Sequence, residues 1–247
     1  MKILAIIPAR MNSSRFPGKP LKKINGTPMI EHVYQRVIRN DLLTNTVVAT
    51  CDKEILDHIR SVGGISIMTS NKHERATDRS AEALTKTEKL LNTKYDIVTM
   101  VQGDEPMIEP DMITESVKPL INNSKLYVTN LLGKIETEQE FLDKNCIKVV
   151  HDLNKFALYF SRQTIPTTEL YEKSPIGKQV AIISFRKSFL FKYLSMPETP
   201  LEKAESVDMM RIIENGYKIK LVDTKYNTFA VDTLDDLLKV EKLMNEK

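Results

Sequence analysis

The chain has 247 residues, 36 Lys and Arg against 33 Asp and Glu for a net charge of +3, and a hydrophobic share of 41%. That length can bury a substantial core, and the near balance of charge excludes a basic tail or field that would point to nucleic acid or an anionic membrane as partner. The two cysteines, Cys51 and Cys146, form no CxxC pair, which excludes a disulfide miniprotein and a cysteine metal framework and suits a reducing, cytoplasmic compartment.

The run Ile3 to Ile7 is continuously apolar, as a parallel strand covered on both faces requires, and Pro8 is expected to end it. The same Pro8 and Arg10 interrupt it too early for a signal-peptide core. No later run approaches the ~20 apolar residues needed to cross a bilayer, so no membrane insertion is expected. After Gly26, Thr27 is positioned to cap a helix with Pro28 in its first turn, and Ile30, Val33, Tyr34, Val37 and Ile38 recur at helical spacing. A strand over Thr46 to Thr50, a helix that Asp52 is positioned to cap and that runs through Ser61, and a short strand over Ile65 to Met68 follow. A helix over about Arg79 to Leu91 and a strand over Ile97 to Val101 come next. This alternation predicts an α/β fold with a mostly parallel, doubly wound sheet.

The middle of the chain changes character. Strands are expected near Leu126 to Leu132, Cys146 to Val150, Ala157 to Phe160 and Gln179 to Phe185, with an irregular connection from Thr164 to Lys178. They predict a smaller mixed-sheet lobe over 124–186 inserted into a core of 1–123 and 187–247, the whole 1–247 being one domain. Helices at Ser188 to Leu194 and Ala204 to Glu214, a strand at Ile219 to Val222 and a final helix after Asp232-Thr233 complete the pattern.

The loop Pro8 to Pro20 places Arg10, Arg15 and Lys19 directly after a buried strand, where ligands of open α/β sheets collect. Guanidinium groups grip phosphate oxygens bidentately, Lys19 adds a point charge, and backbone donors around Asn12 to Ser14 can form an anion-binding concavity. A solvated basic loop is the competing reading. Neither GxGxxG nor GxxxxGK[ST] is present, which argues against a dinucleotide dehydrogenase or a P-loop enzyme. Asp104 follows the Ile97 to Val101 strand in Gln102-Gly103-Asp104-Glu105-Pro106, and Asp232 holds a similar position near the other end. Each is either a turn or cap residue or one of two carboxylates converging on magnesium between phosphate oxygens. His73, Arg75, Asp78 and Arg79 form a further polar cluster suited to loop ordering, substrate contact or helix capping. The four histidines, His32, His58, His73 and His151, lack zinc spacing, and no GxSxG elbow occurs.

The segments Ile7-Pro8-Ala9-Arg10, Arg15-Phe16-Pro17-Gly18-Lys19-Pro20-Leu21, His73 through Thr77-Asp78-Arg79, Gln102-Gly103-Asp104-Glu105-Pro106 and Val231-Asp232-Thr233 span nearly the whole chain. In them the chain resembles the 3-deoxy-manno-octulosonate (Kdo) cytidylyltransferases. The resemblance implies a three-layer nucleotidyltransferase fold with a smaller lobe for sugar binding and dimerisation, a homodimer, and magnesium-dependent transfer of CMP from CTP to an acidic sugar. It also implies a place in lipopolysaccharide biosynthesis. It assigns Ala9, Arg10, Ser13, Arg15, Lys19, Arg79 and Gln102 to CTP, and Asp104 and Asp232 to magnesium. Arg162, Gln179, Ile183, Asp208 and Met209 fall to the acceptor.

The acceptor segments depart from the family pattern. His-x-Gly-x-Tyr-x-Tyr-Arg is replaced by Gln179, Ala181, Ile183 and Phe185 before Arg186, and Glu-x-Leu-Glu-Gln-Leu-Arg becomes Glu205 through Arg211, with Asp208 and Met209 at the polar positions. Ala76 stands where the family has glycine. Met209 cannot reproduce the donors and acceptor of glutamine. Three readings stay open: Kdo or a related acidic sugar, another small anion such as a phosphonate or phosphorylated metabolite, and a noncatalytic CTP sensor or structural protein.

Overall fold

The computed structural model describes residues 1–12, 15–167 and 176–246. The chain divides into two compact units, Met1–Thr114 with Thr228–Lys247, and Glu115–Asn227. The expected lobe, 124–186, lies inside the second unit, which also takes in 115–123 and 187–227. Ladder partners explain the inclusion of the later segment, because its strand pairs with strands of the second unit.

In the first unit, β1 (Ile3–Ala9), β4 (Asn45–Thr50), β5 (Ser66–Met68) and β6 (Ile97–Val101) form a parallel sheet in the order β6-β1-β4-β5. Every residue of β1 and β6 is buried, as apolar runs covered on both faces must be. α1 (Met29–Val37) and α3 (Ala76–Leu90) pack on β1, and α2 (Lys53–Ser61) on β4 and β5.

Three expectations change here. β1 runs through Pro8 to Ala9 instead of ending at Pro8. Its register with β6 stops at Ile6, so Pro8 meets only Ala49 of β4 and interrupts no second ladder. Thr27 does not cap α1. The two-residue loop Asn25-Gly26, both at positive φ, closes a small hairpin between β2 (Lys23–Ile24) and β3 (Thr27–Pro28), and α1 begins at Met29. Asn-Gly at a hairpin tip is the turn chemistry that wins over Thr27 capping. Asp52 precedes α2 without capping it, because its carboxylate accepts from the Met11 N–H at 2.7 Å. Ordering the basic loop takes precedence over capping the helix.

The helix α4 (Pro110–Asn122), absent from the sequence reading, carries the chain from the first unit into the second. There β7 (Val128–Gly133) pairs antiparallel with β10 (Ile176–Arg186) and parallel with β11 (Lys220–Asp223). β8 (Lys148–His151) joins β10 to β9 (Ala157–Ser161) in antiparallel ladders, giving the expected mixed sheet. The second unit also holds α5 (Glu138–Leu142) and α6 (Lys187–Leu194). The single helix expected over Ala204 to Glu214 is two, α7 (Pro200–Glu205) and α8 (Met209–Glu214), separated at Ser206, whose φ of 53° ends the first.

α9 (Leu234–Asn245) returns to the first unit. Thr233 caps it in a capping box with Asp236. Val231, Leu237 and Val240 join Ile24, Met29 and Met107 in one apolar cluster, against which Phe16 packs. This cluster fixes Asp232 and the basic loop through neighbouring residues. Among the described residues no helix is long and apolar enough to cross a membrane.

Candidate functional site

The carboxyl ends of β1 and β6 open into a cavity of about 320 Å³. Backbone geometry brings them together. A Cβ on Gly103 would meet the Pro8 carbonyl oxygen and Ile30 Cδ1 at 3.0 Å, so a side chain here would press the turn after β6 away from the end of β1 by a few tenths of an ångström. Val231 N–H then donates to the Asp104 carbonyl at 2.9 Å, tying the approach to α9 onto the same turn.

Side chains from these three segments meet at one point. Lys19 Nζ donates to Asp104 Oδ2 at 2.7 Å, to Asp232 Oδ1 at 3.0 Å and to the Val231 carbonyl at 3.0 Å. Arg15 pairs with the other oxygen, Asp232 Oδ2, at 3.0 Å. Burial of the Lys19 ammonium works against its charge, but Asp104 and Asp232 outweigh that cost and hold its pKa above the ordinary lysine value. Thr233 caps α9, leaving the Asp232 carboxylate to the cavity.

Ala9, Arg10, Arg15, Lys19, Gln102, Asp104 and Asp232 line this cavity, joined by Arg79. Ser13 lies outside the described residues. Arg79 is 3% exposed. Its guanidinium donates to Thr69 Oγ1 at 2.6 Å and to the Ser70 and His73 carbonyls at 3.4 Å, which holds the 69–73 segment against the start of α3. α3 begins at Ala76, three residues before the sequence pattern suggested, so Arg79 belongs to its first turn.

His73, Glu74, Arg75 and Ala76 also line the cavity, so Ala76, where the related pattern has glycine, adds its methyl group to the wall. His73 Nε2 lies 2.5 Å from Glu82 Oε2, which also accepts from Ser70 N–H at 2.8 Å, while Lys86 pairs with Glu82 Oε1 at 2.7 Å. Partial burial opposes ionisation of Glu82, yet bonds from Lys86, Ser70 and His73 lower its pKa to about 2. Sequence reasoning missed Glu82 and Asp52, which act one step behind the cavity; each looks like an ordinary helix residue, and only the tertiary partner reveals it.

Asp104 and Asp232 present hard oxygens to a single cationic centre, the donor chemistry that suits magnesium, which is held by one or two carboxylates with phosphate and water completing its shell. Among the described residues no cluster of three or more His, Cys, Asp or Glu could bind a metal. A metal at the carboxylate pair therefore needs oxygens from a ligand or solvent.

The five residues assigned to the acceptor belong to the second unit. Arg162 spends its guanidinium on the carbonyls of Glu205, Lys144 and Ser206. Gln179 donates to Asn130 Oδ1 at 2.8 Å. Ile183 and Met209 are buried, and Asp208 is the residue preceding α8.

A parallel sheet whose strand ends carry a basic loop and paired carboxylates defines a nucleotide-binding α/β enzyme. Residues 4–219 match the cytidylyltransferase family model. The chain is 40% identical to the 3-deoxy-manno-octulosonate cytidylyltransferase of Trichlorobacter lovleyi over the full length of both. It is 43% identical to that of Geobacter sulfurreducens, covering 98% of this chain and 100% of the relative. A solved CMP:2-keto-3-deoxy-manno-octonic acid synthetase complexed with CTP superposes with a TM-score of 0.91 at 37% identity, covering 100% of this chain and 99% of that one. The chain belongs to the 3-deoxy-manno-octulosonate cytidylyltransferase family and is a nucleotidyltransferase.

Proposed function

We propose that this enzyme transfers CMP from CTP to Kdo or a closely related acidic sugar with magnesium, releasing pyrophosphate. The observation that carries the reading is the meeting of Arg15, Lys19, Asp104 and Asp232 at one point of a cavity that Arg10 and Gln102 also line. The likeness to a synthetase bound to CTP supports the choice of nucleotide.

In this mechanism an acceptor hydroxyl oxygen attacks the α-phosphorus of CTP, the bond from that phosphorus to the bridging oxygen breaks, and pyrophosphate leaves with that oxygen. Arg10, Arg15 and Lys19 bind the phosphate oxygens and stabilise the charge that develops there. Gln102 and Arg79 order the nucleotide end of the cavity, the latter through the 69–73 segment it anchors. Asp104 and Asp232 would hold a magnesium ion, which would supply charge neutralisation at the phosphates and acidify the attacking hydroxyl, whose proton passes to solvent. Aligning the acceptor with the α-phosphorus is the larger part of the task.

The reading includes the homodimer implied by the family resemblance and a reducing, cytoplasmic setting suited to two cysteines outside any disulfide framework. The test is pyrophosphate release from CTP and magnesium across a panel of acidic sugars and small phosphorylated or phosphonate acceptors. Turnover with Kdo, or an acidic sugar close to it, is expected. Release only with phosphorylated or phosphonate acceptors would replace the acceptor, and CTP binding without release on any acceptor would replace catalysis with sensing. Light scattering across protein concentrations tests the dimer, which a constant monomer mass would remove.

A further inference from the structure

Two carboxylates aimed at one point repel each other unless a cation stands between them. Here the cation belongs to the chain. An ammonium has three N–H donors, and Lys19 directs bonds to Asp104 Oδ2, Asp232 Oδ1 and the Val231 carbonyl, all within 3.0 Å. Its side chain is only 13% exposed. With Arg15 on Asp232 Oδ2, two positive side chains balance two negative ones. A divalent ion seeking both carboxylates meets a neutral cluster in which its place is already taken.

A nucleoside triphosphate changes that balance, because it brings phosphate oxygens into the cavity lined by Arg10, Arg15 and Lys19. Those oxygens offer the ammonium an alternative partner while adding negative charge that favours a divalent ion. We propose that Lys19 is a built-in counterion, closing the Asp104–Asp232 pair to divalent cations until a triphosphate draws its ammonium away, so that metal and nucleotide occupy the site together. By linkage, each must then raise the affinity of this site for the other by the same factor. The device rests on the assignment of these carboxylates to metal, and it makes Lys19 a gate as well as a phosphate contact.

The test is Mn²⁺ binding to the full chain without nucleotide, followed by the loss of the free-ion electron paramagnetic resonance signal, with circular dichroism to confirm folding. Lys19→Met should bind Mn²⁺ about 10-fold or more tighter than the unmodified chain, and adding Asp104→Asn to Lys19→Met should abolish the gain. Lys19→Gln, which keeps a polar head without the charge, should behave like Lys19→Met and serves if the methionine variant fails to fold. Equal Mn²⁺ affinity with and without Lys19, still sensitive to Asp104→Asn, would overturn the gate and leave the metal assignment standing. No Asp104-sensitive Mn²⁺ in any variant, even with CTP present, would overturn the metal assignment and the gate with it.

Discussion

Two groups of charged residues, one in each unit, are used in opposite ways. In the first, Arg15, Lys19, Asp104 and Asp232 spend their charges on one another at the wall of a cavity, where an incoming ligand can exchange them. In the second, Lys148, Glu205, Glu202 and Arg211 are consumed by the scaffold. Lys148 is buried and donates to the carbonyls of Asp143, Cys146 and Arg162, burial pushing its pKa down. Glu205 accepts from Tyr159, Ser161 and the Arg162 N–H. Arg211 forms a two-pronged pair with the fully buried Glu202, both bonds at 2.6 Å, and lies over the Tyr193 ring. The contrast teaches that a charged residue marks chemistry only where its partners are exchangeable; a charge satisfied by buried carbonyls marks architecture.

Four changes would break or sharpen this division. Asp104→Asn should lower turnover by about 100-fold or more with the circular dichroism spectrum unchanged, because in the proposed mechanism it removes one of the two carboxylates that would hold the magnesium ion neutralising phosphate charge. Retained turnover would remove Asp104 from the chemistry. Arg211→Met should cost about 3–5 kcal/mol of stability by leaving the Glu202 carboxylate unpaired in the interior. The loss is read as a fall in melting temperature, and a variant as stable as the parent would show that the pair is not structural. Arg15→Gln should raise the KM for CTP by about 10-fold, the worth of one charged hydrogen bond, while leaving the acceptor KM alone. Equal shifts in both constants would place Arg15 outside the triphosphate site.

The smallest effect concerns acid. Glu82 ionises at about 2 in the folded chain against an ordinary 4.5, so its contribution to stability is present above about 4.5 and fades as pH falls towards 2. Glu82→Gln should therefore narrow the gap in urea midpoint between parent and variant across that interval. A gap that stays constant with pH would separate Glu82 from the acid response.

Much of the first unit was legible because its information is local. A buried apolar run followed by clustered cations, and an aspartate just past a later buried strand, are short patterns that need no knowledge of distant partners. That Asp104 and Asp232 converge was also expected from their positions just past strands, although the ammonium seated between the carboxylates was not, since Lys19 precedes Asp232 by most of the chain. The start of α1 was misplaced because Thr27 offers a plausible cap while Asn25-Gly26 offers a better turn. α4 escaped notice even though Met112, Ile113 and Val117 make an apolar face; Pro119 within it reads as a breaker. In the second unit, family departures such as Gln179 and Met209 were visible as letters. Their physical situation, one bonded to Asn130 and the other fully buried, depends on strand register and helix packing that no short window contains.

The discontinuity of the first unit has a consequence for biosynthesis. Asp104 is added to the growing chain before any of Glu115–Asn227, and Asp232 only after all of it. The nascent protein thus holds half of its acidic pair through the translation of an entire intervening body, and the Lys19-centred cluster is completed only when the returning segment docks. Polypeptides interrupted anywhere in between inherit the basic loop and Asp104 without the second carboxylate.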